Sequence, residues 1–263
     1  MAARDVKIKA QVYKDPRPAE TFEPYHRRVR DHPPEWIYEL VRVLTMLNAL
    51  VAFRAEGYGS ELVPNGPVIL APNHASFMDH FFAGAFIRRH VQFMAKSQMF
   101  GPNPLSWVYS HGGVFPVRRG HHDEDAFATA FRILDRGGVV GMYVEGGRSR
   151  TGKLGEAKAG IGRLALESGV PVVPVAILGS NQVRNWRKLH FTKVIVQYGE
   201  PFRFERVPHS ARDQQQAAAE VILERIRGMH DELAALGARR AARTLRAARA
   251  GAGGSVRRSV AGS

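Results

Sequence analysis

Pro67-Val68-Ile69-Leu70-Ala71-Pro72-Asn73-His74-Ala75-Ser76-Phe77-Met78-Asp79 is the stretch that decides the fold. An apolar run bounded by proline, then a polar turn, then helix-length apolar spacing from Phe77 to Phe86 reads as strand, turn and helix. That order puts His74 in the turn and Asp79 about one turn into the helix. The four residues between them bring both side chains to one helix end, where Asp79 can accept from the imidazole. Such a contact fixes the tautomer and leaves the other ring nitrogen free as a base. A structural histidine, capping or packing at the loop, is the alternative these residues leave open. The chain has no Gly-x-Ser-x-Gly motif and no cysteine, so a base here would act on a hydroxyl that the protein does not own.

Outward from this point the chain alternates short apolar runs with helical patterns. Strands are expected at 67–71, 91–95, 113–117, 138–144, 171–177 and 193–198, and helices at 77–89, 123–136 and 159–168, with a short one near 104–110. Asp123 is the expected N-cap of the second helix, and Gly137-Gly138 its stop. This alternation predicts an α/β fold with a mostly parallel, mixed central sheet flanked by helices. Pro174, inside the run Val170–Ile177, lacks a ladder donor and suggests an edge or a bend. A purely structural role is the favoured reading of this apolar run, although such a wall could also line an acyl channel.

Both ends differ from the middle. Residues 1–34 are polar and proline-punctuated and read as an arm with little regular structure. From Glu35 to about Phe53, Trp36, Ile37, Leu40, Leu44, Leu47 and Val51 recur at helical spacing, giving an N-terminal amphipathic helix. Glu39, Arg42 and Asn48 interrupt it, so it is a poor membrane span; core packing and an interfacial position both remain open. A long helix is expected over 211–236. It leads into a basic helix or tail, 237–263, that holds seven arginines (Arg239, Arg240, Arg243, Arg246, Arg249, Arg257 and Arg258) and no acidic residue. The domain reading is therefore arm 1–34, a domain 35–236 whose motifs lie in 65–200, and a flexible tail 237–263.

The formal net charge of +14 calls for an anionic partner. A solvated tail and a tail laid on anionic lipid are the two readings of the arginine cluster. Nucleic acid is not expected, because basic residues interleaved with exposed aromatics are absent from the tail. Without cysteine there are no disulfides or thiolate metal sites, which fits a reducing compartment. No apolar h-region follows Met1, so no secretory signal is expected, and the location implied is cytoplasmic and peripheral on the inner face of the cell membrane. His121-His122-Asp123 reads as a solvated cap before a helix rather than a metal site, and His80 as structural.

Two further loops after strands carry charge. Arg118 and Arg119 end the run Gly112–Val117, at the carboxyl edge where α/β sheets bind ligands, and their guanidinium groups suit phosphate. Glu145-Gly146-Gly147-Arg148-Ser149 follows the next strand. Its Gly147–Lys153 portion matches Gly-x4-Gly-Lys, but Leu154 stands where a Walker loop needs Ser or Thr. What is left is a glycine-rich turn able to bind phosphate without metal, with Glu145 available to accept a substrate hydroxyl or to orient an arginine. Lys158 opens the next helix and adds positive charge.

Taken together, His-x4-Asp at 74–79, Gly113 to Arg119, Glu145-Gly-Gly-Arg-Ser149 and Val170 to Ile177 have the order and approximate spacing of the PlsC-like glycerolipid acyltransferases, which the chain resembles over roughly residues 65–200. The resemblance implies His74 as general base and Asp79 as its orienting partner. Arg119 matches the phosphate-contacting arginine, and Arg118 stands where many members have Asp. Glu145, Gly146, Arg148 and Ser149 match the acceptor-binding motif. That motif usually reads Glu-Gly-Thr-Arg-Ser after Phe-Pro; here Gly147 replaces Thr, and Tyr143-Val144 replaces Phe-Pro. The implied reaction moves a fatty-acyl group from acyl-CoA or acyl-carrier protein to a lysophospholipid hydroxyl, most simply 1-acylglycerol-3-phosphate, on an anionic membrane surface and with no bound cofactor or metal.

Overall fold

The computed structural model describes residues 14–149, 153–181 and 193–260, and for 250–260 the backbone alone. Part of the expected arm (1–13), three loop residues (150–152) and the side chains of Arg257 and Arg258 thus lie outside it.

The strands are β1 (Glu56–Tyr58), β2 (Val68–Pro72), β3 (Val91–Lys96), β4 (Phe115–Val117), β5 (Val139–Gly141), β6 (Val172–Leu178) and β7 (Ile195–Tyr198). Among the described residues they form one seven-stranded sheet in the order β1-β7-β6-β2-β5-β3-β4. Every pairing is parallel except β6 with β7. The mostly parallel, mixed sheet is therefore as expected. The short strand β1, which pairs with β7 at one edge, was not legible in the sequence: Glu56-Gly57-Tyr58 carries no apolar run.

Successive residues of β2 face opposite layers, and both layers are dry. Val68 and Leu70 pack with Phe82 and Ala83 of helix α3 (Asp79–Ala85) and with Ala49 of α2 (Trp36–Ala52). Ile69 and Ala71 pack beneath α5 (Glu124–Asp135), α6 (Ala159–Ser168) and α7 (Arg212–Leu236), whose Ile133, Ile161, Leu164 and Ile222 fill that side. This two-sided burial explains why β2 reads as an unbroken apolar run.

Several expectations need correction. The arm is not irregular throughout, since Glu23–Asp31 form helix α1, with Pro24 in its first turn, where a missing N–H costs nothing. Phe22 and Val29 are buried, and Arg30 bonds Thr129 and Asp125. Few apolar anchors and many charges hid this helix. The tail continues as helix α8 (Ala238–Val260), whose Ala241 and Ala242 are buried beside Tyr58, Ile195 and Leu233. Alanine on the inner face gave a weak pattern. Pro174 sits on an interior strand, not an edge; its nitrogen faces the gap between Tyr198, where β7 ends, and the bridge from Val172 to Phe202. Finally, α3 begins at Asp79 rather than upstream of it.

Helix α2 packs on the core along one side only. Ile37 and Ala49 are buried, but Trp36 is 64% exposed, Leu44 58% and Val51 79%, with Leu40, Leu47 and Leu50 exposed as well. Most of its apolar face is outside the core.

Candidate active site

The four strand ends that matter lie along one edge of the sheet, at the carboxyl ends of β2, β3, β4 and β5. Neighbours β5 and β6 flank β2 and both come later in the chain, so the edge after β2 is a position where α/β sheets open a crevice. Asn73 closes the strand. Its side-chain amide donates to the Ile177 carbonyl at 3.1 Å and accepts from the Ile177 N–H at 2.7 Å, tying the turn to β6.

The next residue is His74, with Nδ1 2.9 Å from Asp79 Oδ2. Asp79 is fully buried, and the same oxygen accepts the N–H groups of Ala75 and Ser76, each at 2.7 Å. An ionised carboxylate held this way accepts from Nδ1–H, which leaves Nε2 without its proton and ready to take one. Burial lowers the His74 pKa from its ordinary value more than Asp79 raises it, and Arg148 and Arg119 lower it further. At neutral pH the imidazole is therefore uncharged.

Beneath it lies Glu145, also buried. One oxygen accepts the His74 N–H at 2.8 Å and the other the Gly155 N–H at 2.7 Å. Both oxygens thus serve backbone amides, and the carboxylate is a staple between two loops rather than a group facing ligand. Burial raises its pKa. The Ser149 N–H donates to the His74 carbonyl at 2.7 Å, a second stitch between the same loops. Gly146 turns the chain at φ 61°, a conformation that favours glycine, directly over the Lys158 side chain.

A cavity of about 340 Å³ opens above His74. Arg119 and Arg148 line it, together with Lys96 from the end of β3. Of the other expected residues, Arg118 stays aside, its N–H bound to Asp123. The Ser149 hydroxyl bonds the Lys153 carbonyl. Lys158 is exposed and leans on Glu156. Neither Gly146 nor Gly147 lines the cavity, so they shape the turn only. Asp123 caps α5 as expected, accepting from Ala126.

Lys96, Tyr143 and His80 are among the lining residues that sequence reading did not place in the site. Lys96 had a signal, a basic residue closing an apolar run, like Arg119. The imidazole of His74 stacks on Tyr143, centroids 3.7 Å apart and planes within 13°. His80 is pushed down to about 4 by burial and stays neutral.

A second cavity, about 410 Å³ and largely apolar, adjoins the first. Phe77, His80, Phe93, Tyr109 and Val114 line both. Its other walls come from α2 (Ile37, Tyr38, Val41), α3, and α4 (Pro104–His111). The run 172–178 takes no part in it, because β6 is consumed by the two cores. The run thus has the structural role the sequence favoured, and the apolar cavity lies elsewhere.

With this geometry in hand, the comparisons are informative. Residues 54–178 match the profile of the family described as Acyltransferase. A chloroplastic 1-acyl-sn-glycerol-3-phosphate acyltransferase of Brassica napus is 28% identical over 135 residues, 50% of this chain and 39% of the relative. A probable 1-acyl-sn-glycerol-3-phosphate acyltransferase of Mycoplasma genitalium is 25% identical, over 61% of this chain and 62% of the relative. The chain thus spans about two to three fifths of the length of these relatives. The crystal structure of the 1-acyl-sn-glycerophosphate acyltransferase PlsC from Thermotoga maritima matches with a TM-score of 0.56 at 22% identity, covering 79% of this chain and 88% of that one. That match establishes the shared fold.

Proposed function

We propose that this chain, whose residues 54–178 match the profile of the acyltransferase family, moves a fatty-acyl group from a thioester to the free hydroxyl of a lysophospholipid. The acceptor that fits best is 1-acylglycerol-3-phosphate, giving phosphatidic acid. The observation that carries the reading is one cavity in which a neutral His74, held by Asp79, faces Arg119, Arg148 and Lys96, with an apolar chamber next door. A base, cations for a phosphate and room for a chain are the three things this transfer needs.

In this mechanism His74 Nε2 takes the acceptor's hydroxyl proton as its oxygen attacks the thioester carbonyl; help of this kind is worth about 10²–10⁴-fold. Asp79 stabilises the imidazolium, which then protonates the leaving thiolate. Arg119, Arg148 and Lys96 hold the acceptor phosphate, so orientation supplies much of the remaining acceleration. A thioester is already activated, and the chemistry requires neither metal nor bound cofactor; acyl-CoA or acyl-carrier protein enters as co-substrate. The acyl chain lies in the chamber walled by α2, α3 and α4.

The chain works at a membrane surface in this reading. Among the described residues no helix is long and apolar enough to cross a membrane. The exposed apolar face of α2, with Leu105 and Trp107 of α4 beside it, suits the boundary between headgroups and acyl chains. Arg239, Arg240, Arg243 and Arg249 of α8 are exposed and suit anionic headgroups, the inner face of the cell membrane being the surface proposed. Residues 35–236 form the working domain. Co-sedimentation with anionic vesicles tests this contact, and Leu44→Glu should weaken it.

The test of the activity is purified His74→Ala with labelled acyl-CoA and a panel of lysophospholipids. Transfer should vanish while the fold persists by circular dichroism; near wild-type turnover would sink the reading.

A further inference from the structure

Tyr143 carries a group that the mechanism above leaves unused. Its ring is clamped between two others, stacked on His74 at 3.7 Å and on Phe93 at 5.8 Å with planes within 22°. The hydroxyl oxygen is buried and has no hydrogen-bond partner among the described residues. Buried polar groups in folded proteins are nearly always paired, so an unpaired one calls for a reason. Packing does not supply it: phenylalanine would make the same two stacks without a stranded hydroxyl. Phenylalanine is also what the resembled motif usually has here, one residue from its Pro.

The position supplies a reason. Tyr143 lines the cavity with His74, whereas its other stacking partner, Phe93, lines both that cavity and the apolar chamber. Hence the ring spans the ground between the base and the mouth of the chamber. A thioester whose chain fills the chamber, and whose carbonyl carbon meets the hydroxyl that His74 deprotonates, has its carbonyl on that same ground. Lys96 at the end of β3, Arg119 after β4 and Arg148 further along the loop after β5 supply the cations for the phosphate and leave the hydroxyl spare.

We propose that the Tyr143 hydroxyl donates a hydrogen bond to the carbonyl oxygen of the acyl thioester, as a catalytic residue of the transfer; this rests on the acyl-transfer reading. As the acceptor oxygen bonds to the carbonyl carbon, the C=O π pair moves onto oxygen, and the Tyr143 O–H meets the charge that develops there. The carbonyl then re-forms, the C–S bond breaks, and the thiolate leaves with the proton from His74. Two stacked neighbours hold the donor in place beforehand, which is what makes such a group effective. Burial and the charge of Asp79 raise the Tyr143 pKa well above its ordinary value, so the phenol keeps its proton throughout.

Tyr143→Phe removes one oxygen and keeps the ring. Steady-state kinetics on the full chain, with acyl-CoA and lysophosphatidate, should show kcat reduced by about 10²–10³-fold, the loss seen on removing one oxyanion donor, with both KM values unchanged. Thermal melting should show the variant as stable as the parent or more so, since it loses an unpaired buried polar atom. Wild-type kcat would overturn the proposal, as would a raised acceptor KM at unchanged kcat, which would make the hydroxyl a binding group for the acceptor. Running His74→Ala alongside separates the two claims. If His74→Ala is dead and Tyr143→Phe is intact, the donor role fails and the acyl-transfer reading stands; if neither variant loses activity, both fail.

Discussion

The loop after β2 and the loop after β5 meet under one cavity, and each carries a buried carboxylate that accepts two backbone N–H groups. Asp79 Oδ2 takes those of Ala75 and Ser76; Glu145 takes those of His74 and Gly155. In sequence the two acids look alike, each a few residues past an apolar strand. What separates them is the third contact. Asp79 also reaches the imidazole, at 2.9 Å, whereas both Glu145 oxygens end on main chain. In the proposed mechanism the first loop therefore holds the reacting group, and the second holds the first loop while presenting Arg148 to the cavity. Position in a motif does not tell which acid works on the chemistry; the partner of each oxygen does.

Asp79→Asn breaks this comparison most severely. An amide in place of the carboxylate can offer Nδ1 a donor, favour the wrong tautomer and leave the imidazolium unsupported. The expected loss in kcat is about 10²–10⁴-fold, by analogy with amide replacement in a Ser-His-Asp triad. The pH profile gives a second readout. Burial holds the His74 pKa below its ordinary 6.5, so kcat/KM should fall only below pH 6.5. Asp79 raises that pKa, so the acid limb of Asp79→Asn should move lower still; a limb that moved up would contradict the geometry. The sign for stability follows the same route. Below pH 6.5 the unfolded chain binds the proton that native His74 resists, so this residue's contribution is present above 6.5 and lost as pH falls toward its native value.

How much of this was legible depended on the range of each contact. His74 and Asp79 lie five positions apart, and local spacing was enough to pair them. Glu145 acts on a backbone N–H 71 positions away, which no local pattern records. The parallel sheet could be read because its central strands β2, β5 and β6 are buried on both faces and carry no polar side chain. Helix α1 could not, because salt links and two apolar anchors hold it rather than a stripe. The face of α2 was ambiguous for a physical reason: a helix that packs and one that lies on lipid have the same periodicity. Arg119 follows β4 and Lys158 opens α6; both are basic residues at element ends, yet Arg119 lines the cavity and Lys158 leans on Glu156.

Arg148→Ala sharpens the comparison from within the second loop. Its guanidinium lines the cavity three residues after Glu145, so the loop has one side chain for ligand and one for structure. Hydrogen bonds to charged groups contribute about 1.5–3 kcal/mol, so the acceptor KM should rise about 10–100-fold. The donor KM should not move, and kcat should change far less than in Asp79→Asn. An acceptor KM within about two-fold of wild type would remove Arg148 from the phosphate site.

Glu145→Gln should do the least to kcat and the most to stability. Glutamine keeps the volume but has one acceptor oxygen, so either the half-buried His74 N–H or the Gly155 N–H loses its acceptor and meets an amide N–H instead. That costs about 1–3 kcal/mol, which for a chain of this size lowers the melting midpoint by about 2–4 °C per kcal/mol. If Glu145 only staples the loops, lost activity should track lost rigidity: a kcat reduced several-fold, substrate KM values little changed, and partial recovery on cooling. A kcat loss as large as that of Asp79→Asn with an unchanged melting midpoint would show that Glu145 meets substrate after all, and the division of labour between the two carboxylates would collapse.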